Sequence, residues 1–455
     1  ALRDGGHHVR RGGNETNMRV ELPWAETTLP VDLPDDWQVH TAAPLEGPGL
    51  DSRSEREIVA HSLANPLGCL ALGDRDLGGG RILLVVDDNT RPTPARGFLD
   101  LILRELERAN ASLAQTLLMP ALGIHSPMSE WEMAEKIGAD NLTRLTWKNH
   151  NAYDPEEMAF FGRTSRGTPV SLNREVALAD TIILVGMVEP HLWAGFGGGL
   201  KNLFPGLASV EAIGAHHAMI AEPPYWYNRV GADPEGNAFR TDLEEVHELL
   251  DKDLFCLNVV LGQSGTIEAC ACGDPVRAHR AAVETNTLLA GRRIPGKMDG
   301  IVVNSRPMDF NFKQGMKGVA NTLPALSPGG TIMAFLKADR GLDDVKPPEK
   351  SAPLWLSRTV LRLLGPSRVL WFQEKTGRGE GPEDKFLVHY TLQLLREHRL
   401  FVYAPTLSRD RARSLGFFTP CFTPEEVVRK GRRKMGRRAK VAVFPEAGAT
   451  FPVMG

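Results

Sequence analysis

The sequence predicts an α/β protein made of two α/β domains, each built on a mainly parallel sheet. Short apolar runs that are typical of buried parallel strands alternate along the chain with longer stretches of helical character. These runs span residues 82–86, 181–185, 256–261, 300–304, 331–335, 400–403 and 441–444. With 455 residues, 42% of them hydrophobic and 24% charged, the chain is long enough for two or three compact cores and does not have the composition of a disordered protein.

The predicted domain boundary lies within residues 272–298. Cys272-Gly273-Asp274-Pro275 begins a helical connector there, and Pro295-Gly296 ends it. We therefore expect one domain over residues 18–275 and another over 276–455, and we interpret residues 1–17 as an extension. Because ligand sites favour domain interfaces, the active site is expected in the cleft between the two domains.

Composition narrows the classes of partner and the compartment. A net charge of −3 gives no strong attraction to nucleic acid or membrane, and we expect neither as a partner. The basic cluster at 429–438 lacks interleaved aromatic residues and follows Glu425-Glu426, so we interpret it as a solvated helix face. The five cysteines form no zinc-type spacing, and Cys270-Ala271-Cys272 is too short for a redox pair. We expect reduced thiols and a cytoplasmic protein.

The segment from His191 to His217 is the strongest indication of chemistry. Glycines run up to Lys201 and include Gly198 and Gly199, which lack side-chain bulk, so a flat ligand could lie against the backbone there. A Walker A phosphate loop is excluded, because Leu200-Lys201-Asn202 stands where that motif needs Lys followed by Ser or Thr. A structural glycine-rich turn is the alternative interpretation of this segment alone.

Four further segments place polar side chains next to predicted strands or on a predicted helix. Asp88, Thr90 and Arg91 follow the run at 82–86, and His125 follows a second apolar run. His191 follows the run at 181–185. Ligands of open α/β sheets bind at the carboxyl ends of strands. In the fourth segment, Gln314 and Lys317 would share one face if that segment is helical.

These motifs, in this order and spacing, resemble the nickel-pincer lactate racemase family, which inverts the hydroxyl-bearing carbon of 2-hydroxy acids. The resemblance covers nearly the whole chain from Met18 onward. It implies a cofactor-binding and catalytic domain at residues 18–275. It also implies a pyridinium-3,5-bisthiocarboxylic acid mononucleotide that carries nickel and is attached covalently to Lys201. Cofactor-biosynthesis proteins are then expected as maturation partners.

The resemblance also implies roles for the remaining motif residues. His217 would be the nickel ligand, and His125 and His191 would be the acid/base pair. Asp88 and Arg91 would correspond to the family's Asp-x-x-Arg, and Gln314 and Lys317 to its Gln-x-x-Lys. The neighbouring His216 leaves the identity of the nickel ligand open.

General chemistry is compatible with these roles. Removing the hydrogen as hydride avoids an unstable carbanion, and imidazoles can exchange the hydroxyl proton near neutral pH. Arg91 and Lys317 are candidates to hold the substrate carboxylate. Turn amides around Thr90 could receive a phosphate, and Asp88 could orient Arg91 or a cofactor hydroxyl. A sulfur-rich cofactor supplies most of the coordination that nickel prefers, so a single imidazole suffices.

The sequence departs from the lactate-type pattern around the predicted helix. Lys313 stands where the lactate enzymes have a tyrosine, and Trp193 stands where a phenylalanine is usual. An extra cation could favour malate or an aldonate, or Lys313 could simply point into solvent. Two other classes remain as alternatives: a nicotinamide-dependent dehydrogenase, for which the Gly-x-Gly-x-x-Gly fingerprint is lacking, and a non-catalytic cofactor carrier.

Overall fold

The computed structural model describes residues 18–46, 52–221, 228–262, 264–342, 353–375 and 382–455. Two compact units make up the chain. The central unit is Glu46–Leu289, and the terminal unit joins residues 18–45 to Ala290–Gly455. Each unit contains its own mainly parallel six-stranded sheet, which confirms the predicted fold class.

The strands of the described residues are numbered in chain order. They are β1 (Met18–Trp24), β2 (Thr27–Leu33), β3 (Gln38–Thr41), β4 (Ala43–Pro44), β5 (Ile82–Asp87), β6 (Thr116–Ala121), β7 (Thr146–Trp147), β8 (Met158–Arg163), β9 (Pro169–Asn173), β10 (Thr181–Met187), β11 (Pro190–His191), β12 (Gly195–Phe196), β13 (Asp253–Leu261), β14 (Ile267–Gly273), β15 (Gly291–Ile294), β16 (Met298–Asn304), β17 (Leu326–Phe335), β18 (Arg399–Tyr403), β19 (Thr419–Cys421), β20 (Lys440–Phe444) and β21 (Phe451–Met454). All seven predicted runs lie within strands.

The α-helices are numbered in the same way. They are α1 (Glu55–Ala64), α2 (Leu99–Arg108), α3 (Glu130–Ile137), α4 (Ala139–Leu142), α5 (Arg174–Leu178), α6 (Val210–His217), α7 (Ala238–Glu245), α8 (Pro275–Ala290), α9 (Phe312–Thr322), α10 (Leu354–Leu364), α11 (Pro366–Lys375), α12 (Pro382–Glu397), α13 (Arg409–Ser414) and α14 (Pro424–Met435). The basic cluster begins on α14, where Lys430 pairs with Glu426.

The sheet of the central unit has the strand order β14-β13-β10-β5-β6-β7. Its neighbouring strands run parallel, except that β14 is antiparallel to β13. Strands β5 and β10 are fully buried, as expected for apolar strands covered on both faces. Helix α2 packs its apolar side, including Leu99, Ile102 and Leu106, into the same core. The buried strands thus determine the position of the polar residues that follow their carboxyl ends.

The sheet of the terminal unit has the order β19-β18-β17-β16-β20-β3, with every neighbouring pair parallel. Strand β3 comes from the beginning of the chain and pairs with β20. The hairpin β1–β2 contributes Leu22 and Val31 to the core of this unit. Trp37 Nε1 adds a 2.9 Å hydrogen bond to the carbonyl of Gly436.

The compact units differ from the sequence-based division in two respects. Residues 18–45 belong with the terminal unit, because β3 extends its sheet. Helix α8 falls almost wholly in the central unit, where His279 and Asn286 donate hydrogen bonds to the carbonyls of Gly197 and Val188. The placement of the active site in a cleft remains a prediction. The predicted extension at 1–17 lies outside the described residues.

Candidate active site

The strand order of the central sheet locates its ligand-binding edge. From β5 the chain runs outward through β6 and β7, and then returns to place β10 on the other side of β5. This reversal is a topological switch point, and ligands of open α/β sheets bind in the crevice beyond the carboxyl ends of such strands. Asp88 and Arg91 follow β5 there, His191 ends the short strand β11 just after β10, and His125 follows β6.

Asp88 and His125 form a hydrogen-bonded pair at this edge. His125 Nδ1 lies 2.5 Å from Asp88 Oδ2, and Asp88 Oδ1 accepts from the hydroxyl and the amide of Thr90 at 2.5 and 3.1 Å. Burial alone would raise the pKa of Asp88, but the hydrogen bonds from His125 and Thr90 outweigh it and lower that pKa. The carboxylate is therefore ionised and accepts the Nδ1 proton of His125, which places the lone pair of the neutral ring on Nε2.

Asp87 precedes this pair and has a different environment. Its side chain is buried 2.6 Å from Lys136 Nζ and accepts a 2.5 Å hydrogen bond from Thr93 Oγ1. Burial raises the pKa of Asp87 despite the charge of Lys136. Lys136 also donates to the carbonyls of Asp88 and Arg91, at 3.0 and 2.8 Å. The Asp87–Lys136 pair thus fixes the backbone of the loop that presents Asp88 and Arg91.

Arg91 forms an ion pair with Glu189 across the switch point. Arg91 Nε lies 3.0 Å from Glu189 Oε1, and Arg91 Nη1 donates to Thr90 Oγ1 at 3.2 Å. Burial lowers the pKa of Arg91, but the carboxylates of Glu189 and Asp88 more than offset that effect. The loops after β5 and β10 are therefore joined by a permanently charged guanidinium that could receive an anionic group.

His191 is half-buried and is held by the backbone that follows it. Its Nδ1 accepts hydrogen bonds from the amides of Trp193 and Ala194, at 3.2 and 3.1 Å. Burial, and then the positive charges of Lys201 and Arg91, lower its pKa well below the ordinary value. The ring is therefore neutral across the physiological range of pH.

The glycine run is fixed by buried side chains of other elements. Gly198 has a φ of 74°, and a Cβ there would lie 2.6 Å from the carbonyl oxygen of Met187, so a residue with a side chain would not fit. Arg240 Nη1 donates to the Gly198 carbonyl at 3.2 Å, and Asn258 Oδ1 accepts from the Gly199 amide at 2.8 Å. Arg240 is fully buried, and its Nε donates to Glu244 at 2.6 Å.

Lys201 lies on the single 3-10 turn Gly199–Asn202 that follows these glycines. Burial, and then the positive charges of Arg91 and Arg240, lower its pKa to about 7. A substantial fraction of Lys201 is therefore an uncharged amine at neutral pH, the form in which lysine acts as a nucleophile.

His216 and His217 end helix α6 in different environments. His216 is fully buried, donates from Nε2 to the carbonyl of Phe239 at 3.0 Å, and has its pKa lowered by burial to about 3. His217 donates from Nδ1 to the carbonyl of Ile213 at 2.9 Å, which places its lone pair on Nε2. The ring of Trp193 lies 5.4 Å from that of His217 and 6.3 Å from that of His191.

Gln314 and Lys317 lie on α9 of the terminal unit, so the predicted helical spacing is correct. Both side chains are half-buried, whereas Lys313 is exposed. Their predicted roles in the site remain predictions.

Within the described ranges, no group of three or more histidine, cysteine or carboxylate side chains could hold a metal ion. Cys69, Cys256, Cys270, Cys272 and Cys421 are all free thiols. No helix of the part that the structure describes has the length and apolarity needed to span a membrane.

The chain is similar in sequence to known proteins. The lactate racemase N-terminal domain model matches residues 24–225. The chain is 28% identical over 433 residues to the lactate racemase of Thermoanaerobacterium thermosaccharolyticum, covering 94% of this chain and 97% of that protein. It is 26% identical over 443 residues to the lactate racemase of Lactiplantibacillus plantarum, with 94% and 98% covered. The chain is thus similar to lactate racemases over nearly its whole length. Both of these relatives are named as racemases.

Solved structures support the lactate racemase family fold. The apoprotein of the lactate racemase from Thermoanaerobacterium thermosaccharolyticum superimposes with a TM-score of 0.78 at 25% identity, covering 96% of this chain and 100% of that one. A crystal structure of a protein from Thermotoga maritima gives a TM-score of 0.59 at 20% identity, with 90% and 100% covered, and shows the fold alone.

The sequence-based prediction omitted several residues that shape this site. They are Asp87, Lys136, Glu189, Arg240, Glu244, Asn258 and His279. Asp87 and Glu189 stand beside residues that were singled out and could have been found by their position at strand ends. Arg240 and His279 gave no local signal, because their partners lie 42 and 82 residues away in the chain.

Proposed function

We propose that this chain is a 2-hydroxy acid racemase or epimerase of the lactate type, which works by reversible hydride transfer to a nickel-pincer nucleotide. The observation that carries the proposal is the convergence of a neutral histidine, a carboxylate-paired histidine and a lysine of lowered pKa around Arg91, at the switch point of the central sheet. Two lactate racemases align along nearly the whole chain, which supports the same class of substrate.

The residues around Lys201 fit the proposed cofactor. A lysine with a pKa of about 7 has the uncharged amine that a covalent attachment needs. His217 donates its Nδ1 proton to a backbone carbonyl, the arrangement that commonly orients a histidine for metal binding through Nε2. The lack of a larger cluster of ligands among the described residues fits a cofactor that brings its own sulfur ligands.

The same contacts support His217 over His216 as the nickel ligand. His216 Nε2 is engaged by the carbonyl of Phe239, and its ring is fully buried against Phe204 and Phe239. A ring packed in this way would have to leave its aromatic neighbours to reach a metal. The space beside Gly198 and Gly199 is filled by Met187, Arg240 and His279, so these glycines position the Lys201 turn rather than leave room for a flat ring. Asp88 and Thr90 complete the proposed cofactor-binding set.

Each residue of the site has its own role in the proposed reaction. Arg91 anchors the carboxylate of the substrate, with Lys317 and Gln314 as the further contacts that the family resemblance implies. His125 and His191 face the hydroxyl group and handle its proton while the carbon becomes planar. The bound cofactor supplies the acceptor for the hydride. Enclosure of the site would keep the 2-keto acid from escaping before the hydride returns to its other face.

Maturation and location follow from this proposal. Proteins that synthesise the cofactor are the expected partners, because the chain carries a covalent site for a group that it does not make. Five free thiols support a reducing, cytoplasmic location. Lys313 supports the alternative substrates, malate or an aldonate, only through its charge, since its side chain is exposed.

Chiral product analysis of cofactor-loaded protein tests the proposal. Single enantiomers of lactate, 2-hydroxybutyrate, malate, 2-hydroxyglutarate and gluconate would each be incubated with protein shown by mass to carry the cofactor, with Lys201→Ala as the control. We expect inversion of lactate that is lost in the control. Inversion of malate or gluconate alone would replace lactate as the substrate, and no inversion of any acid would refute the racemase proposal.

A further inference from the structure

Helices α10 and α11 of the terminal unit expose many large apolar side chains. Leu356, Val360 and Leu363 are spaced to share one face of α10. Exposed apolar side chains that occur singly are normal, but a dense group of them marks a binding surface. The group, called here the α10–α11 surface, consists of Trp355, Leu356, Val360, Leu363, Leu364, Trp371 and Phe372, with exposed fractions from 36% for Val360 to 75% for Leu363.

Other residues of the same helices hold them to the terminal unit. Leu361 of α10 and Leu370 of α11 are buried, and the two helices contact each other and α12. The helices are therefore packed without help from the residues that they expose. The α10–α11 surface is available for a partner outside the described part of the chain.

The charges around this surface have one sign. Residues 353–372 contain Arg358, Arg362 and Arg368 but no aspartate or glutamate. Arg362 and Arg368 are exposed. The net charge of −3 for the whole chain predicts no attraction to a membrane, but it does not describe this local surface, which is cationic.

A cluster of guanidinium groups increases the positive charge next to α10. Arg358 is buried, its Nη2 donates to the carbonyl of His398 at 2.8 Å, and its Nε has no hydrogen-bond partner. Burial, and then the positive charges of Arg399 and Arg362, lower the pKa of Arg358 to about 10. No carboxylate of the described residues acts on Arg358 or Arg399 to offset this repulsion. An anionic group such as a phosphate would offset it, and guanidinium groups bind phosphate well.

A bilayer with anionic lipids accounts for both properties of the surface. Tryptophan is most stable at the boundary between headgroups and acyl chains, and helices that lie in this boundary combine Trp, Phe and Leu with basic residues. A free phosphate would explain the arginines but not the exposed apolar side chains. A second copy of the chain in a two-fold contact would bring the same arginines towards each other.

We propose that the α10–α11 surface docks the protein on a membrane that contains anionic phospholipids. With 11 and 10 residues, α10 and α11 are too short to cross a bilayer, so they would lie along its surface. The apolar side chains enter the boundary region, and Arg362 and Arg368 contact lipid phosphates. Arg358 and Arg399 add positive charge beside Arg362. Docking is separate from the racemase reaction and needs no cofactor.

Sedimentation of the full chain with lipid vesicles tests the proposal. The cofactor-free protein would be mixed with vesicles of phosphatidylcholine alone, or of phosphatidylcholine with phosphatidylglycerol, and compared with protein lacking vesicles. We expect sedimentation with the anionic vesicles, weaker binding to the neutral ones, and a decrease at high salt. Protein that sediments with neither kind of vesicle, or equally with both, would overturn the proposal.

Substitutions on the two helices test which residues bind. Leu363→Ser should lower the partition coefficient about tenfold, because one exposed leucine no longer enters the apolar region. Arg362→Gln should lower it about fivefold on anionic vesicles only, the effect of one basic residue near a charged membrane. The matched control is Trp131→Ser on α3 of the central unit, since Trp131 is 72% exposed and should not affect binding. Equal losses in Leu363→Ser and Trp131→Ser would overturn the assignment to this surface.

Two further measurements separate the other occupants and the other failures. Analytical ultracentrifugation reports the oligomeric state, and a wild-type dimer that Leu363→Ser dissociates, without vesicle binding, would show a contact between copies instead. Thermal unfolding midpoints would show that the variants fold. Loaded Leu363→Ser protein should invert hydroxy acids in solution as fast as the wild type. Loss of vesicle binding with full turnover would thus leave the proposed function intact, and wild-type vesicle binding without turnover would refute the racemase proposal alone.

Discussion

The two parallel sheets have the same kind of switch point but use it differently. In the central unit the strand order reverses between β5 and β10, and in the terminal unit it reverses between β16 and β20. In the central crevice, Arg91 and Glu189 pair across the two strands that border it, and Asp88 pairs with His125. The switch point of the terminal unit is instead closed by backbone.

Contacts after β16 and β20 show how that closure is made. The amides of Ala447 and Gly448 donate to the carbonyls of Asn304 and Arg306, at 3.1 and 3.0 Å. A Cβ at Gly448 would lie 2.4 Å from the carbonyl oxygen of Ser305, so the two loops touch directly. A switch point therefore permits a ligand site, but the conformation of its loops decides whether a ligand can bind there.

The largest expected loss of stability concerns the buried Asp87–Lys136 pair of the central unit. Lys136→Met leaves the Asp87 carboxylate buried without its partner, which should lower the free energy of unfolding by about 3–5 kcal/mol. Because burial already raises the pKa of Asp87, the loss should shrink as the pH falls and the carboxyl is protonated. Urea unfolding at several pH values measures this. The matched control is Asp32→Asn, which removes the exposed Arg19–Asp32 pair and should cost about 0–1 kcal/mol. Equal losses in the two variants would show that the buried pair is not structural.

A smaller effect on stability and a large one on turnover are expected at the neighbouring carboxylate. Asp88→Asn keeps the size of the side chain but removes the charge that accepts the His125 proton. We expect kcat/KM to fall about 10²–10⁴-fold, with a smaller loss of unfolding free energy than in Lys136→Met. Steady-state kinetics of the loaded variant, with its unfolding curve, provide the test. Full activity would mean that His125 does not depend on Asp88.

A substitution at the backbone-closed switch point of the terminal unit should change the free energy of unfolding but not turnover. Gly448→Ala forces a methyl group against the Ser305 carbonyl, and we expect a loss of about 1–3 kcal/mol in unfolding free energy. The matched variant is Gly97→Ala, where a Cβ has no atom within 4 Å and the change should stay within about 0.5 kcal/mol. Turnover per folded molecule should be unchanged in both. A specific loss of turnover in Gly448→Ala would show that this loop also serves the reaction.

The smallest effect concerns the pH at which the Lys201 amine becomes reactive. Lys201, with a pKa of about 7, should become reactive as the pH rises through 7, since only the deprotonated amine is a nucleophile. Peptide mass mapping after a short pulse of an acylating reagent on the cofactor-free protein would follow this. Exposed lysines such as Lys313 in the same digest calibrate the reagent. A labelling midpoint near pH 10 would contradict the lowered pKa.

The sequence by itself determined the main strands, because each is an apolar run buried on both faces, and local composition is enough to reveal it. Its spacing of Gln314 and Lys317 also fits one face of the helix that the structure shows, and it placed Asp88, Arg91, His125 and His191 just after strands. Those predictions depend on residues that are close together in the chain.

Only the tertiary structure decided the rest. The pairing of β3 with β20 joins residues about 400 positions apart, and nothing local in either strand specifies its neighbour. Likewise, Asp87 and Asp88 are adjacent carboxylates with opposite pKa shifts, because burial outweighs the charge of Lys136 at Asp87, whereas the hydrogen bonds from His125 and Thr90 outweigh burial at Asp88. The tautomers of His125 and His191 depend on whether a carboxylate or an amide lies against Nδ1. The sequence determines which ionisable group each side chain carries. The partners that folding brings into contact with that group set its protonation state.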